Sequence, residues 1–220
     1  MSTTPHHESN RAFYDRISSA YDLIANANER AARLAGLRAL EVRKGEQVLE
    51  VGFGTGNEIV DLAELVGPTG KVAGIDISPG MLAVAQRKLE GKDVPAPLDL
   101  RVGDARQLPW GDGTFNAVYT SFTLELFPLE DIPAVLAECK RVLKSGGRLG
   151  VVSMATVKQG HHTSVLERAY VWMHRHFPHL VDCQPIDVEG AVGRAGFQAV
   201  KVEEMEIWTM PVRAVVGRKG

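Results

Sequence analysis

The sequence predicts an α/β fold on a parallel sheet, and three observations carry that expectation. An apolar run, Val48-Leu49-Glu50-Val51, enters a glycine turn, Gly52-Phe53-Gly54-Thr55-Gly56, and a helical pattern follows. Over about 100 residues, strand-like and helix-like runs alternate as in βαβ units. The chain has 220 residues, 45% hydrophobic and 24% charged, with no internal repeat, which suits one domain with a full core.

Taken in order, residues 1–9 are polar and expected to be disordered. From Arg11 to Arg43 the pattern is helical: Phe13, Tyr14, Ile17, Tyr21 and Ile24 in a first run, then Ala31, Leu34, Leu37 and Leu40 on one face of a second. Residues 10–43 are read as a helical lid over the glycine turn. The core, 44–154, opens with a strand Gln47–Val51 and a helix Glu58–Val66, stopped by Gly67-Pro68-Thr69-Gly70. Lys71–Ile77 is a second strand. Ser78 caps a helix that runs to Leu89, with Pro79 in its first turn. Strands Leu98–Val102 and Phe115–Ser121 follow, then a helix Asp131–Leu143, a break at Lys144-Ser145-Gly146-Gly147, and a fifth strand Arg148–Ser153. Residues 155–186 read as a helical insertion near an acceptor pocket. Residues 187–220 close the domain with a helix Val188–Ala195 and strands Gln198–Val202 and Pro211–Gly217.

A formal charge of −2 argues against a nucleic-acid surface. No apolar stretch approaches the ~18 residues of a membrane span, although peripheral lipid contact stays open. With no secretory leader pattern, a cytoplasmic location is expected. Cys139 and Cys183 are read as reduced, buried thiols, and no metal site is expected. The oligomeric expectation is a monomer or homodimer.

Alternate glycines let the backbone approach a ligand closely. In a dinucleotide fingerprint, GxGxxG, a third glycine would stand at position 57, where this chain has Asn57. Glu50 precedes the first glycine by two residues and would repel a pyrophosphate, but it suits a cation. Asp76 ends the second strand, about twenty residues beyond the turn, where a carboxylate can bind ribose hydroxyls. Asp104 follows the third strand. Three acids at the carboxyl ends of three successive strands fit a ligand with a positive end, a ribose and an exocyclic amine. S-adenosylmethionine has all three.

These residues give the chain a resemblance to class I S-adenosylmethionine-dependent methyltransferases. It rests on Val48–Gly56, on Gly74-Ile75-Asp76-Ile77-Ser78-Pro79-Gly80-Met81-Leu82, on Gly103-Asp104-Ala105-Arg106-Gln107-Leu108-Pro109, and on Arg141-Val142-Leu143-Lys144-Ser145-Gly146-Gly147. Within that superfamily the chain is most similar to the ubiquinone and menaquinone biosynthesis methyltransferases, whose opening segment Phe13–Asp22 resembles. The resemblance implies a Rossmann-like, doubly wound seven-stranded sheet of order 3-2-1-4-5-7-6, strand 7 antiparallel. It implies that Glu50, Gly52, Gly54 and Gly56 serve the methionine portion of the cofactor. Asp76 would hold the ribose, with Ile77 and Met81 beside the adenosine. Asp104 and Ala105 would take the adenine edge. Ser121 and Phe122 would line the methionine end, and Tyr21 would close over it.

Methyl transfer from a sulfonium mainly requires alignment, with a base only where the acceptor must lose a proton. Tyr14, Glu125 and His174 are the candidates for such a role. No Asn/Asp-Pro-Pro-Tyr or Pro-Cys motif is present, which favours a small, apolar or lipid-like acceptor methylated at carbon or oxygen, as quinone precursors are. The quinone family's Phe-Gly-Leu-Arg-Asn-Val pattern is here Phe122-Thr123-Leu124-Glu125-Leu126-Phe127. The charge reversal at Glu125 raises a second reading, N-methylation of an amine such as a phospholipid headgroup. A third is a cofactor-binding protein without transferase activity. In the insertion, Tyr170, Trp172, Met173 and Phe177 form an apolar wall, of the core or of the acceptor pocket.

Overall fold

Val48, Leu49 and Val51 are buried on both faces of the first strand, so that strand has to lie inside a sheet covered on each side. The computed structural model describes residues 29–156, 184–207 and 210–220. A helix α1 occupies 29–40, followed by β1 (Gln47–Val51), α2 (Asn57–Val66), β2 (Lys71–Asp76), α3 (Pro79–Leu89), β3 (Leu98–Val102) and β4 (Phe115–Ser121). A short 3-10 turn (Leu124–Leu126) leads to α4 (Ile132–Val142), β5 (Leu143–Met154), α5 (Val188–Arg194), β6 (Gln198–Ile207) and β7 (Met210–Arg218).

The sheet order is β3-β2-β1-β4-β5-β7-β6. β1 pairs in parallel with both β2 and β4, while β7 runs antiparallel to β5 and β6. Leu49 and Val51 join an apolar layer with Val135, Leu136 and Val192 from α4 and α5. Val48 joins the opposite layer, with Leu37 and Leu40 of α1 and Ile59 and Leu62 of α2. No described helix is long and apolar enough to cross a membrane.

Local chemistry sets several boundaries. Ser78 caps α3, its hydroxyl accepting from Met81 N at 3.1 Å, with Pro79 in the first turn. The expected break at residues 144–147 is a loop inside β5. Leu143 pairs with Phe115 and Arg148 with Ala117, so the intervening residues are looped out of the ladder, Gly146 at φ +72°. β6 extends to Ile207, beyond the expected Val202, because Glu203, Glu204 and Glu206 lie on a largely exposed edge strand whose backbone still pairs with β7.

One face is corrected. Ala31 is exposed and Leu34 only half-buried, whereas Ala32, Arg33, Gly36, Leu37, Ala39 and Leu40 turn inward. The helix lies close to the sheet at Gly36, where a Cβ would come within 2.2 Å of Val152 Cγ2 and 3.0 Å of the Tyr119 hydroxyl. Tyr119 donates that hydroxyl to the Arg33 carbonyl at 2.8 Å. Residues 10–28 of the expected lid (10–43) and 157–183 of the expected insertion (155–186) lie outside the described residues.

Gly36→Ala opposes two effects. Alanine gains about 1 kcal/mol of helix propensity, but overpacking against a stiff, buried valine costs roughly 1–3 kcal/mol. The expected outcome is net destabilisation by about 1 kcal/mol, measured as a lower urea midpoint.

Candidate active site

The three glycines of the turn are required for three different reasons. Gly52, at φ +75°, has no room for a side chain, since a Cβ would meet Thr123 Oγ1 at 2.2 Å. Gly54, at φ +51°, would put its Cβ into open space, and its bareness keeps the cleft clear. Gly56, at φ +78°, begins α2 and packs on α3, with a Cβ position 2.9 Å from that of Ala85. Gly56 is not among the residues that line the cleft.

The cleft holds about 110 Å³ at the carboxyl ends of β1, β2 and β4 and beyond β3. Of the expected cofactor residues, Gly52, Gly54, Asp76, Ile77, Met81, Asp104, Ala105, Ser121 and Phe122 all line it. Asp76 ties two elements together: Oδ2 accepts from Gly54 N and Oδ1 from Ser78 N, both at 2.9 Å. A carboxylate that accepts at both oxygens is the kind of group that suits a diol. Asp104 is bound by Arg106, whose guanidinium also reaches Asp131 at 3.0 Å, so the Asp104 carboxylate reaches the cleft already partly engaged.

Glu50 does not line the cleft. It is fully buried on β1, and its oxygens have no hydrogen-bond partner among the described residues. Burial first, and then the Glu58 charge, push its carboxyl well above the usual range. Nearby stands a group that the sequence reading passed over. Arg33, on α1, lines the cleft, lies 5.8 Å from the Phe122 ring centroid, and pairs with Glu29 and, at 3.3 Å, with Glu58 of α2. An arginine four residues before Leu37, on the inward face, was the available signal.

Glu125 lies in the 3-10 turn Leu124–Leu126. It is buried, its Oε2 accepts from the Ser153 hydroxyl at 2.8 Å and its Oε1 from Met154 N at 3.1 Å, and it is absent from the cleft lining. It holds the 3-10 turn against the end of β5. Burial raises it to about 7. Cys139 is a buried thiol raised by burial to about 12. Tyr14, Tyr21, His174, Cys183 and the expected wall Tyr170, Trp172, Met173 and Phe177 lie outside the described residues.

The chemistry of the lining fits an adenosyl sulfonium cofactor: a diol acceptor in Asp76, small backbone at Gly52 and Gly54, and apolar surface at Ile77, Met81 and Ala105. Residues 48–147 match a family described as a methyltransferase domain. Demethylmenaquinone methyltransferase of Lactobacillus johnsonii is 34% identical over 143 residues, 63% of this chain and 58% of that protein. The chain thus spans less than two thirds of the length of such curated relatives. Among solved structures, geranyl diphosphate C-methyltransferase from Streptomyces coelicolor A3(2) superposes with a TM-score of 0.76 at 12% identity, over 100% of both chains. The 4+2 cyclase SpnF gives 0.76 at 19%, over 100% of this chain and 98% of that one. Such likenesses are of fold alone, and a cyclase shares it, so the reaction has to be argued from the site.

Two outcomes are expected. Asp76→Ala removes charge-assisted acceptors and should weaken S-adenosylhomocysteine by about tenfold or more in calorimetry. For Glu125, the folded protein holds the proton more tightly than the unfolded chain. Its stabilisation is therefore full below about pH 4.5 and is lost as pH rises through about 7. Glu125→Gln should remove up to about 3 kcal/mol of that decline between about pH 5 and 8, read from denaturant midpoints.

Proposed function

We propose that this protein transfers the methyl group of S-adenosylmethionine to a small, apolar acceptor, by C- or O-methylation of the kind quinone precursors undergo. The observation that carries this reading is the mixed lining of the cleft. Asp76, Gly54, Ile77 and Met81 suit an adenosine, whereas Phe53, Phe122, Leu126 and Phe127 add apolar surface. The partial identity to demethylmenaquinone methyltransferases supports the same acceptor class. The cofactor would supply an electrophilic methyl on a sulfonium that leaves as a neutral thioether.

The residues of the chain then bind, orient and exclude water. Phe122, held at φ +48° between Ser121 and Thr123, brings its ring to the cleft wall and takes the Arg33 cation on one side. Thr123 donates to the Ser121 carbonyl at 2.9 Å and fills the space beside Gly52, fixing the floor on which an acceptor would rest. Alignment of this kind supplies several kcal/mol of barrier reduction without a protein base. The amine-acceptor reading relied on Glu125. That carboxylate is bonded to Ser153 and Met154 outside the cleft, so the apolar reading is retained.

Methyl-labelled S-adenosylmethionine, supplied with demethylated quinols, phenols and amines, tests this. Label is expected in a quinol or phenol product. Phe127→Ala should raise the KM for that acceptor about tenfold while leaving S-adenosylhomocysteine affinity within about twofold. Transfer to amines alone, or tight NADH binding in place of S-adenosylhomocysteine, would overturn the reading.

A further inference from the structure

The burial of Glu50 is hard to reconcile with a permanently ionised carboxylate. Its exposure is 0%, and among the described residues no donor reaches either oxygen. The strand register explains why. Glu50 stands between Gly74 of β2, which has no side chain to offer, and Tyr119 of β4, whose hydroxyl is donated to the Arg33 carbonyl. The charged groups facing it are Glu58 and Asp61 from α2, Asp76 from β2 and Arg33 from α1. Arg33 is the one cation in that set, and its guanidinium already pairs with Glu29 and Glu58. An ionised Glu50 would therefore be desolvated among acids.

The next two residues, Val51 and Gly52, line the cleft. A fixed positive charge lodged above Gly52 would reverse the local balance, because an opposite charge at close range in a poorly screened interior favours the ionised acid.

We propose that Glu50 is a proton-linked charge sensor beneath the cleft, a neutral acid in the free protein that ionises when a ligand's permanent cation enters. This rests on the S-adenosylmethionine reading. The carboxyl O–H bond breaks, its electron pair stays on oxygen, and the proton passes to the buffer. The ion pair so formed selects a cationic donor over uncharged adenosine compounds, and it ties affinity to pH. Burial and the surrounding acids push the Glu50 carboxyl well above its ordinary range in the free state. Affinity for the cation thus rises with pH, by up to about tenfold per unit below the Glu50 midpoint, and levels off above it.

Two features of the donor supply positive charge, the sulfonium and the α-ammonium. S-adenosylmethionine has both, S-adenosylhomocysteine only the ammonium, and 5′-methylthioadenosine neither. Calorimetric titration of the whole protein, in buffers of different ionisation enthalpy from about pH 6 to about pH 8, counts the protons released. Release with S-adenosylmethionine but not with 5′-methylthioadenosine is the expected result. S-adenosylhomocysteine behaving like the first assigns the ammonium, and like the second the sulfonium. Glu50→Gln should abolish the release and weaken S-adenosylmethionine by at least about tenfold near pH 8, with 5′-methylthioadenosine within about twofold. S-adenosylmethionine binding that is independent of pH and releases no proton overturns the proposal, as does undiminished release in the glutamine variant. The wild-type titrations decide it even if that variant does not fold. Failure of all three ligands to bind is a different result, one that sinks the cofactor reading itself.

Discussion

β1 hydrogen-bonds to β2 on one side and to β4 on the other, both in parallel, so the connections leaving these strands turn to opposite faces of the sheet. A crevice has to open at their carboxyl ends, because the helix after β1 covers one layer and the helix after β4 the other. The rest of the molecule is arranged to hold that crevice in shape. Asp76 binds the Gly54 amide and joins the end of β2 to the turn after β1. Thr123 occupies the volume that Gly52 leaves empty and joins the end of β4 to the same turn. Three strand ends are thereby locked to one another by short contacts.

Beneath this floor the protein keeps charge where most domains keep hydrocarbon. Buried Arg33 and Glu58, with the half-buried Glu29, join α1 to the first turn of α2, and Glu50 lies beside them with no hydrogen-bond partner among the described residues. Such groups are poor sources of stability, since the desolvation they suffer rivals the attraction they gain. Their value lies in position. Arg33 brings α1 to the cleft wall through Phe122, and Tyr119 secures the same residue by its carbonyl. The first described helix is therefore part of the site's construction as well as a cover for the sheet.

Chemistry and fold speak separately here. The fold is like that of a cyclase as well as that of a methyltransferase, while the cleft lining is what favours an adenosyl cofactor next to an apolar acceptor. Glu125 illustrates the difference between a motif position and a site. In the sequence it is a charge reversal beside the expected acceptor. In the folded chain it is a buried acid that fastens the 3-10 turn to β5.

The sequence by itself determined the features whose causes lie within a few residues. The apolar run into Gly52, the Ser78-Pro79 helix start and the bounds of β1, β3 and β4 follow from local patterning and turn chemistry. So does the placing of Asp76 beside Gly54, once a parallel pair is granted, because the register of β1 on β2 fixes it. Only the tertiary structure decided which face of α1 turns inward, that Gly56 packs on α3 instead of lining the cleft, and that Glu50, Arg33, Glu58 and Glu125 are buried. The physical reason is that the burial of a charge depends on partners and walls from distant elements. Arg33 and Glu58 are 25 positions apart, and Glu125 and Ser153 are 28. No local period in the chain encodes those distances.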